Sequence, residues 1–174
     1  MVTNKNIFRI ISILLICVFV LASAPFQAVQ AADTRFAKPA AEGSGNCSSW
    51  ANACTLQTAL TGAVPGQEIW VAAGTYKPSS DPADRTATFQ LKNGVAVYGG
   101  FAGTENNRSL RNPAANLSVL SGDIDNDDTQ TPVITNLTTV TGIGTNSYHV
   151  VTGATGATLD GFTITAGNAN GSGG

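Results

Sequence analysis

Apolar and polar residues alternate along this chain in short runs that end at glycine. Three runs share an apolar residue, any residue and glycine: Val97-Tyr98-Gly99, Leu120-Ser121-Gly122 and Leu159-Asp160-Gly161. Val151-Thr152-Gly153 is a weaker fourth copy. The first two copies lie 23 residues apart, at positions 99 and 122, within the range of repeats that build solenoids. Since glycine permits sharp corners between short strands, the pattern predicts a coil of strands.

Six apolar runs are predicted as the strands of this coil. They are Glu68–Tyr76, Thr86–Lys92, Val95–Phe101, Leu117–Ser121, Tyr148–Thr152 and Ala157–Thr165. The turn Asn93-Gly94 separates the second run from the third. Because Asn-Gly is also typical of tight hairpins, an antiparallel hairpin is the alternative topology at this position.

A helical period replaces the alternation after residue 55. Apolar residues recur at i, i+3, i+4 and i+7, namely Leu56, Ala59, Leu60 and Ala63. Thr55 suits the N-cap, and Pro65-Gly66 terminates the run. We predict a short amphipathic helix whose apolar stripe caps the stack of strands.

The N-terminus has the pattern of a secretory signal peptide. Lys5 and Arg9 precede an apolar block, Ile10–Ala22, of 13 residues, which is shorter than the ~20 that a spanning helix needs. We predict that residues 1–32 are a signal peptide cleaved after Ala31 or Ala32, and that residues 33–46 are a flexible leader. The mature protein would be extracellular or on the outer cell surface, without a transmembrane segment.

Charge argues against a nucleic-acid partner. The chain has 9 basic and 11 acidic residues, and removal of Lys5 and Arg9 with the signal peptide leaves 7 against 11, a net charge near −4. Phosphate binding favours the opposite sign. Charged residues make up 11% of the chain, against roughly 25% in an ordinary soluble domain. Hydroxyl and amide groups therefore solvate much of the surface.

Cleavage of the signal peptide would remove Cys17 and leave two cysteines, Cys47 and Cys54. An even pair in an exported protein predicts a disulfide. A straight helix would hold these positions ~10 Å apart, too far for a bridge, so residues 48–53 should form a loop. A thiol metal site is the alternative, but further Cys or His ligands are lacking nearby.

Several of these runs together resemble a known family. They are Leu56–Leu60, Pro65–Tyr76, Gly94–Phe101, Leu120–Asp125 and Leu159–Ile164. They resemble right-handed parallel β-helix proteins of the pectin-lyase-like superfamily, in particular the exported bacterial type described as polymorphic outer-membrane-protein-like. The resemblance implies an all-β fold, a right-handed parallel β-helix (solenoid) with a short N-terminal capping helix. Residues 47–174 would be the cap and first coils of a C-terminally truncated β-helix.

An acidic run, residues 123–128, is the candidate metal site. Asp123, Asp125 and Asp127 alternate along a loop, and Ca²⁺ prefers carboxylate and carbonyl oxygens. The run is not an EF-hand, because Asp128 stands where glycine is required and Ile134 where a bidentate glutamate is required. The alternatives are a calcium site and a solvated insert.

The sequence contains no recognisable catalytic constellation. Arg108 and Arg111 form the basic pair near the acidic run, and His149, the single histidine, has no nucleophile motif beside it. Candidates for stacking on sugar rings are Trp50, Trp70, Tyr76, Tyr98 and Phe101. Trp70 and Tyr98 are expected to point outward, although aromatic side chains more often pack inside. Corner glycines are expected at Gly74, Gly99, Gly122 and Gly161.

We therefore predict an exported, non-catalytic β-helix module of an adhesin-like or carbohydrate-associated protein. Its expected partner is a polysaccharide or a cell-surface receptor, and calcium is the one cofactor considered. The alternative is the N-terminal part of a polysaccharide lyase or glycoside hydrolase whose catalytic coils lie beyond residue 174. Such an enzyme would need paired carboxylates, or carboxylates with Ca²⁺ and a basic residue.

Overall fold

A computed structural model describes residues 34–170, so the predicted signal peptide lies outside the described residues. The strands are β1 (Thr34–Ala37), β2 (Glu68–Ala72), β3 (Gly74–Tyr76), β4 (Phe89–Gln90), β5 (Ala96–Phe101), β6 (Ser118–Ser121), β7 (Val151–Thr152), β8 (Thr158–Asp160) and β9 (Phe162–Thr165). The α-helix is α1 (Leu56–Gly62). Short 3-10 helices occupy Trp50–Asn52, Arg108–Leu110 and Ile143–Thr145.

The strands form three small sheets, and all their pairings are parallel. The orders are β1-β2-β5-β8, β3-β6-β9 and β4-β7. Ile69 of β2 lies beside Val97 of β5, which lies beside Leu159 of β8. Because side chains alternate between the faces of a strand, this register places apolar side chains over one another toward the interior.

The hairpin alternative at Asn93-Gly94 is wrong. The strands on either side of this turn, β4 and β5, belong to different sheets. β4 pairs with β7, and β5 pairs with β2 and β8. Asn93-Gly94 therefore carries the chain from one sheet to another instead of reversing it within a sheet.

The predicted fold class, an all-β right-handed parallel β-helix, is wrong for the part of the chain that the structure describes. Within residues 34–170 the strands are two to six residues long and form sheets of only four, three and two strands, with no solenoid and no closed sheet. Loops of unequal length, such as 102–117 and 122–150, separate them, so no constant repeat develops. Residues 34–170 are a mixed arrangement of short parallel sheets and helical segments.

The predicted helix is present as α1. The side chain of Thr55 accepts a hydrogen bond from the Thr58 backbone N–H, which satisfies one of the free donors at the helix N-terminus. Leu56, Ala59 and Leu60 are buried, and Ala63 packs against the same core. The apolar spacing thus marks the buried face of the helix correctly.

The core joins α1 to the inner faces of the sheets. Its largest fully buried apolar side chains are Phe89, Phe101, Ile69, Leu120, Val71, Val95, Val97 and Val119. Burial of such side chains contributes roughly 1.5–3 kcal/mol each relative to exposure. Most of these core residues are β-branched or aromatic, the types that are enriched in β-strands.

The disulfide between Cys47 and Cys54 is present, so this prediction is confirmed. Residues 34–37, expected to belong to the flexible leader, instead form β1, which pairs with β2 from Thr34 beside Glu68 to Ala37 beside Val71. Ala37 also bridges to Cys54. The disulfide is therefore attached to the edge of the first sheet.

None of the helices within residues 34–170 has the length and apolar character needed to cross a bilayer.

Candidate functional site

The acidic run lies in the long loop that follows β6. The backbone N–H of Asp123 donates to the Ser121 hydroxyl (3.2 Å), which fixes the start of the loop to the end of the strand. The chain then turns at Asn126, whose φ is +62°, and the Asp127 N–H donates back to Asp123 Oδ1 (3.2 Å). The loop therefore folds around the carboxylate of Asp123.

This fold brings together the three predicted metal ligands. One carboxylate oxygen from each of Asp123, Asp125 and Asp127 lies within 4.8 Å of the other two. Ca²⁺–oxygen distances are about 2.3–2.6 Å, so two oxygens on opposite sides of one ion stand about 5 Å apart. Asp123 is buried, Asp125 half-buried and Asp127 exposed, so the cluster extends from the protein wall to solvent.

The carboxylates influence one another electrostatically. The nearby Thr145 side chain lowers the pKa of Asp125, whereas desolvation and the charge of Asp125 raise the pKa of Asp127. Burial raises the pKa of Asp128, against the effect of its hydrogen bond from Asn146. The loop therefore holds negative charge at a density that a cation would relieve.

One basic side chain approaches the cluster. Lys77 Nζ lies 3.8 Å from Asp123 Oδ2 and donates to Asn126 Oδ1 (2.5 Å). Among the described residues, Asp125, Asp127 and Asp128 form no salt bridge. One lysine against four carboxylates leaves a net local charge of −3 when all are ionised.

A cleft of about 1070 Å³ opens beside this loop. Its lining residues are Pro39, Thr55, Leu56, Gln57, Thr75, Tyr76, Lys77, Pro78, Ser79, Ser80, Phe89, Ser121, Asp123, Asn126, Asp128, Gln130, Thr131, Pro132 and Ala166. One wall is the start of α1, a second is β3 with the segment after it, and the third is the end of β6 with the acidic loop.

About half of the side chains lining the cleft are uncharged and polar. Ten carry a hydroxyl or an amide: Thr55, Gln57, Thr75, Tyr76, Ser79, Ser80, Ser121, Asn126, Gln130 and Thr131. Pockets for drug-like ligands are mainly apolar and aromatic. Hydroxyls and amides both donate and accept hydrogen bonds, so this lining suits a polyhydroxylated ligand.

The candidate sugar-stacking aromatics are not free for that role. Trp70 is only 7% exposed and stacks on Phe101, with ring centroids 4.8 Å apart and planes 11° from parallel. Tyr98 is half-buried, and the guanidinium groups of Arg108 and Arg111 lie 4.6 and 5.1 Å from its ring centroid. Both aromatics pack within the face of the first sheet.

The other predicted residues of interest lie away from the acidic loop. Arg108 pairs with Glu68, and Arg111 pairs with Asp160, so both arginines bind to the first sheet. His149 is exposed and does not line the cleft. The structure therefore does not bring these basic residues together with the acidic loop.

The sequence analysis does not identify the residues that are far from the acidic run in sequence but lie beside it in the structure. Thr145 Oγ1 lies 3.5 Å from Asp127 Oδ1, and Asn146 Nδ2 donates to Asp128 Oδ2 (2.8 Å). Lys77 arrives from the opposite wall. Thr145, Asn146 and Lys77 are ordinary polar residues in loops, so no local pattern marks them; only the acidic run itself carried a signal.

Comparison with known proteins gives no match: no family model, no curated protein and no solved structure matches the chain. The resemblance to the pectin-lyase-like superfamily therefore stays a prediction from the sequence. The function has to be argued from the cleft and its surroundings.

Proposed function

We propose that this protein is an exported, non-catalytic module that binds carbohydrate in the cleft between α1, β3 and the acidic loop. The observation that carries the proposal is the cleft lining, in which ten hydroxyl or amide side chains surround about 1070 Å³. A glycan offers many hydroxyls, each able to donate and accept. Gln57 and Tyr76 use their polar groups within the protein, so exposed members of the wall such as Thr75, Ser80 and Thr131 are the ones that would bind such a ligand.

The walls of the cleft are well supported. Tyr76 is 4% exposed, and its hydroxyl donates to the Ala72 carbonyl (2.8 Å). Gln57 Nε2 donates to the carbonyl oxygens of Pro78 (2.5 Å) and Thr88 (3.1 Å), which ties α1 to the segment after β3. A cleft held by such contacts needs little reorganisation to accept a ligand, which favours affinity.

Export is supported by two independent features. The N-terminus has the basic, apolar and small-residue regions of a signal peptide. Cys47 and Cys54 form a disulfide, a bond that persists in oxidising compartments and is rare in the cytosol. We therefore propose that the mature protein lies outside the cell or on its outer surface.

The binding test uses the protein secreted from cells that express the full chain. A glycan array, followed by calorimetric titration of the best ligand, should detect binding that Ser80→Trp weakens at least tenfold. Ser80 is exposed on the cleft wall, and an indole there fills the opening. Ser48→Trp is the matched control, because Ser48 is equally exposed and does not line the cleft.

Two results would overturn the proposal. No binding to any glycan class on the array would remove carbohydrate as the ligand. Release of new reducing ends or unsaturated sugars from a bound polysaccharide would show that the protein is an enzyme. Export has its own test: N-terminal sequencing of the secreted protein should begin after Ala31 or Ala32, and an intact N-terminus in the cell interior would contradict it.

A further inference from the structure

The carboxylates of the loop after β6 are close enough to share one cation. Their mutual distances, within 4.8 Å, suit the ligands of a single ion with metal–oxygen distances near 2.3–2.6 Å. We propose that Asp123, Asp125 and Asp127 bind one Ca²⁺, and that the ion fastens the insert 122–147 to the wall of the cleft. This inference concerns the folding of the loop and does not depend on the glycan proposal.

Independent support comes from buried oxygens without a hydrogen-bond partner. Asp128 and Asn146 are 7% and 0% exposed, and Oδ1 of each is buried and unpartnered. Asp128 lines the same cleft as Asp123, and the charges of the three cluster carboxylates act on it. Buried polar oxygens are almost always satisfied. A water molecule bound to an ion at the cluster is the partner that we propose for Asp128 Oδ1.

Asp125, one of the three proposed ligands, also has a buried oxygen without a hydrogen-bond partner. Its Oδ1 is buried and unpartnered, although the residue as a whole is half-exposed. A buried oxygen without a hydrogen-bond partner is unfavourable as it stands. Direct coordination of a cation satisfies that oxygen and cancels the repulsion in one step.

The ligand chemistry favours Ca²⁺ over Mg²⁺. All of the candidate ligands are carboxylate oxygens, and they come from one irregular loop that turns at Asn126. Ca²⁺ accepts six to eight ligands in irregular geometry, whereas Mg²⁺ requires a near-ideal octahedron. Lys77, 3.8 Å from Asp123, subtracts one charge from the site, so we expect weak binding of the order found in extracellular modules, about 10⁻⁴–10⁻³ M.

The ion would connect both ends of the insert. Asp123 lies two residues after β6, and its N–H is held by Ser121. At the other end of the insert, the Thr145 hydroxyl lies beside Asp127, and the Asn146 amide binds Asp128. A cation at the cluster would therefore order the segment from 123 to 146 together with the cleft wall.

The test is a thermal melt of the secreted protein in 5 mM CaCl₂, in 5 mM MgCl₂ and in EDTA, without any glycan. A ligand that binds only the folded form raises the midpoint, so calcium should raise it by several degrees over EDTA and magnesium by less than half as much. Equal midpoints in calcium and EDTA overturn the site. An equal rise in magnesium overturns its assignment to calcium.

Asp125→Asn is the diagnostic variant, and Asp81→Asn is its control. Asp81 is an exposed aspartate in a different loop, so the substitution changes the net charge equally. The calcium shift should be lost in D125N and kept in D81N. A full calcium shift in D125N contradicts the assigned ligands.

Hydrogen exchange locates the effect and covers the case of a variant that folds poorly. In the wild-type protein, calcium should slow amide exchange at least threefold in residues 123–128 and 143–146. Residues of β5, none of which lines the cleft, should exchange unchanged. Uniform slowing over the whole chain, or slowing elsewhere only, would overturn the proposed location.

Discussion

The backbones of Gly99 and Gly161 approach each other so closely that neither position has room for a side chain. A Cβ atom on Gly99 would lie 2.5 Å from the Gly161 carbonyl oxygen, and a Cβ on Gly161 would lie 2.8 Å from that of Gly99. The residues before them, Tyr98 and Asp160, are register partners in β5 and β8. The repeated glycine thus serves close backbone approach at this position.

Alanine at position 99 should destabilise the protein strongly. The new methyl group meets the Gly161 backbone and Ser118 Cβ (3.0 Å), and backbone cannot move aside as a flexible side chain can. We expect G99A to lose about 2 kcal/mol or more of unfolding free energy in urea denaturation. G153A is the matched control: nothing lies within 4 Å of its Cβ, so its stability should stay within about 0.5 kcal/mol. Equal midpoints for the two variants would contradict this account.

The contrast between Gly153 and Gly99 also shows what the repeat pattern can and cannot predict. The same three-residue pattern ends at both glycines, but only Gly99 is confined by a neighbouring strand. The pattern is local, and it locates short strands with glycine after them. How many strands accumulate in each sheet depends on the connections, and these are unequal, so the predicted solenoid does not arise.

Local signals succeeded where their cause was local. The stripe from Leu56 to Ala63 and the N-cap at Thr55 lie within one helix, so sequence alone located α1. β1 was missed because Thr34–Ala37 has no pattern of its own, and it is ordered by pairing with residues 68–71. The acidic run, like the helix, lies within one stretch of sequence and is therefore visible there. Asn146 is 18 residues from Asp128, and only the fold brings the two side chains together.

Loss of the disulfide should destabilise the N-terminal part of the structure. Cys47 and Cys54 are buried, and Ala37 of β1 bridges to Cys54. Closing a loop of this length stabilises by about 2–3 kcal/mol through the entropy of the unfolded chain. The double variant C47S/C54S should therefore lose about 2–3 kcal/mol of unfolding free energy in urea denaturation. Dithiothreitol should lower the wild-type midpoint similarly and leave that of the variant unchanged; sensitivity of the variant to dithiothreitol would point to another cause.

Arg85 should be a stabilising residue whose replacement by lysine is not conservative. Its Nε donates to the Asn146 carbonyl (2.7 Å) and its Nη2 to the Asn168 carbonyl (3.1 Å), while the guanidinium lies 4.3 Å from the Tyr148 ring centroid. A single ammonium cannot reproduce this planar set of contacts.

We expect R85K to lose about 1–2 kcal/mol of unfolding free energy. R108K serves as the comparison, because Arg108 is exposed and its ion pair with Glu68 contributes about 0–1 kcal/mol. Urea denaturation measures both. If R108K proves as costly as R85K, the contacts of Arg85 to the two asparagine carbonyls are not what stabilises this region.

Glu105 closes a tight loop after β5 with its carboxylate. Oε1 accepts from the Ala102 N–H (2.6 Å), and Oε2 accepts from the N–H groups of Gly103 and Thr104 (3.0 Å each). Desolvation opposes ionisation here, but the backbone hydrogen bonds outweigh it and lower the pKa of Glu105 below its usual 4.5. The Glu105 carbonyl also accepts from Trp50 Nε1 (2.8 Å), which links the loop to the aromatic cluster.

The stability contributed by Glu105 should therefore depend on pH. Because its pKa is lower in the folded than in the unfolded state, the contribution is fully present above pH 4.5 and is lost as pH falls through the folded-state value. Glu105→Gln keeps one acceptor oxygen and loses the charge, so it should cost about 1 kcal/mol at pH 7. The difference in unfolding free energy between E105Q and the wild-type protein, measured from pH 7 to pH 3, should shrink below pH 4.5. A difference that stays constant over this range would show that packing, and not the charge of the carboxylate, holds the loop.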